Sequence, residues 1–177
     1  MVTLPLNLQT PEQMKDKFTD YIASLDPTER KTKILQLSAI PSTAMSLDDI
    51  HLLRELVLFE SNSILDNHGQ IFNVKSGKIV WKKQKLGQCY DNATQMMSKG
   101  YEYVEGYCIR KRDGLKFGHA WNKDKHGTHF DFTIDNSDEY DYFGMVIPSK
   151  LVYEDGFRNG CVWYSALPFI DEIELTA

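Results

Sequence analysis

Apolar residues recur at intervals of three and four along the first third of the chain, which is the spacing of amphipathic helices. The first such face comprises Met14, Phe18, Tyr21, Ile22 and Leu25. We expect this helix to end at Asp26-Pro27, a second helix to cover about residues 28–37, and a third to run from Ser46 to about Leu65. Residues 1–68 thus form a predicted helical N-terminal extension, which serves either as packing material or as a cap over a substrate site.

The pattern then changes to short runs that alternate or are rich in β-prone residues, which indicates strands. The runs cover about residues 70–74, 78–83, 101–111, 115–123, 128–135 and 142–147. Ser76-Gly77 joins the first two and predicts a hairpin, and a helix is expected over about residues 89–99. Residues 69–177 are therefore predicted to form an α+β core, with one central helix packed on an antiparallel sheet.

Composition and charge restrict the class of protein. Of the 177 residues, 42% are hydrophobic and 25% are charged, values that fit one self-folding globular unit rather than a disordered chain. A formal net charge of −5 argues against a general nucleic-acid binder, which needs a concentrated basic face. Apolar stretches such as Leu56–Phe59 are far shorter than the roughly 20 residues that span a bilayer, and no secretory signal is recognisable. We therefore expect a cytoplasmic protein without a membrane segment.

The cysteines form an odd set without a close pair. They are Cys89, Cys108 and Cys161. This number and spacing predict neither a disulfide framework nor a four-thiolate zinc site. Cys108 and Cys161 lie in strand-like segments rich in aromatic residues, so we interpret both as core thiols.

Cys89 stands at the start of the predicted central helix, directly after Gly87-Gln88. The unpaired amide groups and the positive end of a helix favour the thiolate, which is the nucleophilic form of cysteine. Gly87 lets the backbone approach a substrate, and the Cys89 amide can donate a hydrogen bond to a developing oxyanion. The Gln88 side chain either donates to the same oxyanion or merely bridges strand and helix. Cys89 is therefore the candidate nucleophile.

His119 and Asp131 lie on two neighbouring predicted strands. Alternation places His119 and Trp121 on one strand face. If the intervening turn is centred on Lys125, Asp131 lies directly opposite His119 and can orient its imidazole. With Cys89, the pair would form a nucleophile, base and orienting acid. A register shifted by one residue would turn Asp131 away, and Asp135 or Asn122 would then be the competing orienting residue.

Three further side chains are candidates for supporting this site. Trp81 lies upstream of Cys89 and either flanks the oxyanion position or is plain packing. Trp121 is interpreted as packing beside His119. Asn92, one turn beyond Cys89, either supports the site or merely caps the helix.

The histidines allow an alternative metal site. His119, His126 and His129 could supply the three protein ligands of a catalytic zinc ion, but they have no recognised ligand spacing. We therefore predict no metal.

The segment around these residues resembles the transglutaminases. Gly87-Gln88-Cys89-Tyr90 is similar to the segment around the transglutaminase nucleophile, and His119-Ala120-Trp121 with Phe130–Thr133 resembles the histidine and aspartate hairpin of bacterial transglutaminase-like proteins. The resemblance covers about residues 86–135. Tyr103-Val104-Glu105-Gly106 is similar to a strand of small uncharacterised phage and bacterial proteins.

The resemblance implies a papain-like fold and a cysteine-dependent hydrolase or acyltransferase that acts on an amide, peptide or related acyl bond through a thioester. It implies Cys89 as nucleophile, His119 as base and Asp131 as orienting acid, with a protein, peptide or small amide as substrate and without a cofactor. The alternative is an inactive relative that binds a protein partner, for example a phage factor that targets a host protein in the host cytoplasm.

Overall fold

The computed structural model describes residues 11–41, 43–78, 88–152 and 167–169. The chain divides into two compact units, residues 1–59 and 60–177, and the division falls within a helix that the sequence predicts to end the N-terminal extension. Trp81, Cys161 and most of the predicted strand over residues 78–83 lie outside the described residues. Within the described part of the chain, no helix combines the length and apolar character needed to cross a membrane.

The three predicted N-terminal helices are present. They are α1 (Pro11–Ser24), α2 (Pro27–Ser38) and α3 (Leu47–His68). Helix α2 begins with a reciprocal cap, in which the Asp26 carboxylate accepts from the Glu29 amide and the Glu29 carboxylate accepts from the Asp26 amide. Ser46 and Asp49 make the same exchange at the start of α3. The polar residues at the starts of α2 and α3 thus determine where these two helices begin.

The second unit contains a six-stranded sheet. Its strands are β1 (Gln70–Phe72), β2 (Val74–Ser76), β3 (Glu102–Arg110), β4 (Lys116–Lys123), β5 (His129–Asp131) and β6 (Tyr140–Ile147), in the spatial order β1-β6-β3-β4-β5-β2. Among the described residues, α4 (Cys89–Met97) is the only helix between β2 and β3. The α+β class is confirmed, but the antiparallel sheet is a wrong prediction, because β2 pairs with β5 in parallel and the sheet is mixed.

The sheet is strongly curled. Only Asn73 separates β1 from β2, yet these strands occupy opposite edges. In a flat sheet the two edges would lie roughly 24 Å apart, whereas two Cα–Cα steps span at most about 7 Å. The edges must therefore meet at Asn73. The second strand of the hairpin predicted at Ser76-Gly77 lies almost wholly outside the described residues, so this hairpin stays a prediction. β2 pairs with β5, and the Gly77 amide donates to the Asp131 carbonyl oxygen at 2.6 Å.

The two faces of the sheet carry separate cores. Val74, Val104, Cys108, Trp121 and Tyr142 form the core on the concave face. The rings of Phe72 and Trp121 lie 6.0 Å apart although their strands are three positions apart in the sheet, which identifies this face as the inside of the curl. Helix α4 packs on the opposite face through Ala93 and Met97. Gly144 leaves room for the Trp121 ring, because a Cβ there would collide with it.

Candidate active site

Cys89 is the first residue of α4, as the sequence predicts, and its side chain is half-buried and carries a free thiol. The helix is held in place by Asn122 of β4, whose amide nitrogen donates to the Ala93 carbonyl oxygen at 2.9 Å and to that of Glu102 at 3.3 Å. These bonds tie the middle of α4 to the sheet. They also place Asn122, one of the two alternative orienting residues, in a role that does not involve the imidazole.

His119 lies beside both of its predicted partners. Its Nε2 lies 2.7 Å from Oδ2 of Asp131, and the Cys89 side chain lies near enough to the same imidazole to raise its pKa. Since Asp131 occupies Nε2, Nδ1 is the ring nitrogen that is left for the thiol. His119 and Asp131 are buried, with exposed fractions of 2% and 0%. The structure thus brings Cys89, His119 and Asp131 together in one connected group.

The register of the β4–β5 hairpin differs from the predicted one. Asn122 pairs with Phe130 and Lys123 with His129, so the turn is centred on His126 rather than Lys125. Continued by one residue, this register places Asp131 opposite Trp121 and diagonal to His119. The predicted direct opposition is therefore wrong. Asp131 still lies on the same sheet face as His119. Its partner on β4 is Trp121 instead of His119, and a shift of two residues along a strand does not change the face.

Asp131 is saturated with hydrogen bonds. Its Oδ1 accepts from the amides of Thr133 and Ile134, at 2.7 and 3.0 Å. Its Oδ2 accepts from the Tyr142 hydroxyl at 2.8 Å in addition to His119. Asp135, the second alternative, is exposed, and its carbonyl oxygen accepts from the Ser76 hydroxyl. Asp131 is thus the residue that contacts the imidazole.

The surroundings favour charge on both members of this pair. Burial opposes a charged imidazole, but the hydrogen bonds and negative charges of Asp131 and Cys89 outweigh it and raise the pKa of His119 to about 9. Burial likewise disfavours a charged Asp131, but the bonds from His119 and from the backbone amides of Ile134 and Thr133 lower the pKa of its carboxyl. The site therefore holds an imidazolium and a carboxylate at neutral pH.

Trp121 forms one wall of the site. Its ring lies nearly parallel to the His119 imidazole, at an interplanar angle of 16° with 6.3 Å between centroids. Its Nε1 donates to Nδ1 of His129 at 3.1 Å, and His129 stacks on Phe72 with 4.1 Å between centroids. Burial and the charge of Lys123 lower the pKa of His129, which keeps this ring neutral and able to accept. The packing interpretation of Trp121 agrees with this arrangement.

The three-histidine zinc site is not formed. His126 is exposed in the turn, while His119 and His129 are bound to Asp131 and Trp121. Among the residues that the structure describes, no three His, Cys, Asp or Glu side chains are grouped as metal ligands.

Asn92 lies within α4 and bonds to the turn after β5 rather than capping the helix. It is buried, and its amide nitrogen donates to the Thr133 hydroxyl at 3.0 Å. Because Thr133 also donates its backbone amide to Asp131, this bond ties α4 to the turn that holds the carboxylate. Gln88 is the exposed residue before the helix and makes no side-chain capping bond.

The structure adds Tyr142, which the sequence analysis does not select. Its hydroxyl reaches Asp131 because β6 lies beside β3, where Tyr142 pairs with Cys108. Cys108 is buried, and burial raises the pKa of its thiol, in agreement with its interpretation as a core cysteine. The signal for Tyr142 is its place on the concave face, which only the strand order reveals.

The Asn92–Thr133 bond provides a test of the helix anchor. Thr133→Val, which keeps the shape and removes the hydroxyl, is expected to lower the free energy of unfolding by about 1–3 kcal/mol and to slow alkylation of Cys89, because the buried Asn92 amide loses this acceptor. Thr133→Ser keeps the hydroxyl and is the matched control. Urea unfolding and the alkylation rate are the measurements, and equal values for the two variants would contradict the anchoring role.

No protein-family model, curated protein or solved structure matches this chain. The geometry of the site and the sequence resemblance are therefore the observations that bear on its function.

Proposed function

We propose that this protein is a cysteine-dependent hydrolase or acyltransferase that acts on an amide, peptide or related acyl bond. The observation that carries the proposal is the connected group of Cys89, His119 and Asp131, with the cysteine at the first residue of α4 and the acid fully buried. A helix that presents a cysteine beside a curled sheet also supports the finer proposal of a papain-like, transglutaminase-like core.

The proposed reaction starts from a Cys89 thiolate beside the His119 imidazolium, which holds the proton of the thiol. The thiolate forms a bond to the acyl carbon, and the negative charge that develops on the acyl oxygen is stabilised by amide groups at the start of α4. The imidazolium then gives its proton to the leaving nitrogen as the carbon–nitrogen bond breaks. The products of this half-reaction are a thioester on Cys89, a neutral His119 and a free amine.

The second half-reaction regenerates the site. Water, or an acceptor amine, gives a proton to His119 and adds to the thioester carbon. The carbon–sulfur bond breaks, which restores the thiolate and the imidazolium. Asp131 stays ionised throughout and keeps the proton of His119 Nε2 directed at its Oδ2. This chemistry needs no cofactor.

The proposal is tested by trapping the thioester. Incubation with p-nitrophenyl acetate is expected to release a burst of nitrophenol and to leave an acetyl group on Cys89, located by peptide mass spectrometry. Cys89→Ala and His119→Ala are expected to show no adduct at this peptide, while His126→Ala, which removes an exposed histidine, behaves as the wild type. A wild-type protein that forms no adduct on Cys89 would refute the proposal and favour a protein-binding module instead.

A further inference from the structure

The Asp131 carboxylate has a second side-chain donor besides His119. The Tyr142 hydroxyl lies 2.8 Å from Oδ2, the same oxygen that lies 2.7 Å from His119 Nε2. Tyr142 has an exposed fraction of 1%, and its ring packs against Trp121 with 5.3 Å between centroids. The hydroxyl is therefore held in place by the same core that holds the histidine.

We propose that Tyr142 is a positioning residue of the site, which orients Asp131 toward His119 and takes up part of its negative charge. The inference rests on the proposed function for the reaction that this charge serves. The geometry leaves the carboxylate no rotational freedom, since two backbone amides hold Oδ1 while Tyr142 and His119 hold Oδ2.

The direction of the Tyr142 bond is fixed by charge. Burial and the negative charge of Asp131 raise the pKa of the Tyr142 hydroxyl, so it stays protonated. An ionised carboxylate only accepts, and Tyr142 must therefore donate.

The shared oxygen limits how strongly Asp131 attracts the imidazolium. A donor that withdraws charge from Oδ2 makes the carboxylate a weaker partner for His119. Without it, the imidazolium would be held more tightly and would give up its proton less readily to a leaving nitrogen. Tyr142 thus keeps His119 acidic enough to act as the proton donor that the proposed reaction needs.

The test is a nuclear magnetic resonance titration of His119 in full-length protein labelled with ¹⁵N-histidine. Tyr142→Phe is expected to raise the His119 midpoint above the wild-type value by about 0.7 pH unit, the equivalent of one hydrogen bond of ordinary strength. Tyr140→Phe is the matched control, because Tyr140 lies on the same strand as Tyr142 but packs against Phe117 of β4, and it is expected to leave the midpoint unchanged. An unchanged or lowered midpoint in Tyr142→Phe would overturn the inference.

A second measurement keeps the inference testable if Tyr142→Phe does not fold. Wild-type protein grown with 3-fluorotyrosine has more acidic phenols and a stronger donor at position 142, so the His119 midpoint is expected to fall. A midpoint that stays constant would again overturn the inference. Neither titration uses a substrate. If no thioester forms on Cys89 but the His119 midpoint shifts as expected, only the proposed reaction is refuted. If the thioester forms but the midpoint does not shift, only the role of Tyr142 is refuted.

Discussion

Asp131→Asn is expected to slow acetylation of Cys89 by about 10²–10⁴-fold. The asparagine oxygen can still accept from the two backbone amides that hold Oδ1, which leaves its NH₂ group facing His119. That group donates to Nε2 and forces the imidazole proton onto Nδ1, the nitrogen that faces Cys89. A neutral imidazole in this form cannot take the thiol proton, so the base is lost although the fold is kept.

Asp135→Asn is the matched control for this prediction. It makes the same chemical change at an exposed position in the loop that follows β5, and its acetylation rate should equal that of the wild type. Circular dichroism and urea unfolding establish that Asp131→Asn is folded. A folded Asp131→Asn protein that is acetylated at the wild-type rate would show that the acid does not orient the base.

The stability of the protein should depend on pH through His119. Its pKa is raised from about 6.5 to about 9 on folding, so its contribution is fully present below pH 6.5 and is lost as the pH rises through 9. The free energy of unfolding is expected to fall by about 3 kcal/mol over this interval, from 1.36 kcal/mol for each pKa unit. Urea unfolding at several pH values measures it.

His119→Gln and His126→Gln separate this effect from other titrating groups. The first variant should lose the decrease between these pH values, whereas the second, which changes an exposed histidine, should retain it. If wild type and His119→Gln show the same slope, His119 does not carry a raised pKa and the buried ion pair is not formed.

The parts of the site that depend on local pattern were predictable. Helix α4 begins at Cys89 because apolar residues with helical spacing follow it, and strand alternation places His119 with Trp121 on the concave face. Alternation also places Asp131 on the same sheet face as His119, both in the predicted register, where the two residues are directly opposite, and in the observed one, where they are diagonal. These predictions need only the period of a helix or a strand, which neighbouring residues determine.

The register of β4 and β5 depends on the turn between them. The Asp124 carboxylate accepts from the amides of His126 and Thr128, and the Asp124 amide donates to the Thr128 carbonyl oxygen at 2.9 Å. Gly127 adopts a φ of 82°, the left-handed conformation that closes a three-residue loop. Asp124 and Gly127 together determine a turn centred on His126. The sequence therefore contains the signal for the observed register, which the prediction of a centre on Lys125 did not use.

The strand order was not predictable from local pattern. Nothing near Asn73 in the sequence indicates that β1 joins one edge of the sheet and β2 the other, because the choice depends on partners about 55 to 70 residues away, β5 and β6. The same non-local order brings Tyr142 to Asp131. The parallel pair and the second donor to the acid therefore had no signal in the sequence analysis.

The central claim is that Cys89 and His119 form a reactive pair, and alkylation tests it most directly. The rate of iodoacetamide labelling at Cys89 is followed by peptide mass spectrometry between about pH 5 and pH 9 in wild type, His119→Ala and His126→Ala. Wild type and His126→Ala should already react rapidly at about pH 6, and His119→Ala should be slower there by at least about tenfold. A wild-type rate that rises only at alkaline pH, as for a free thiol, and is unchanged in His119→Ala would contradict the claim.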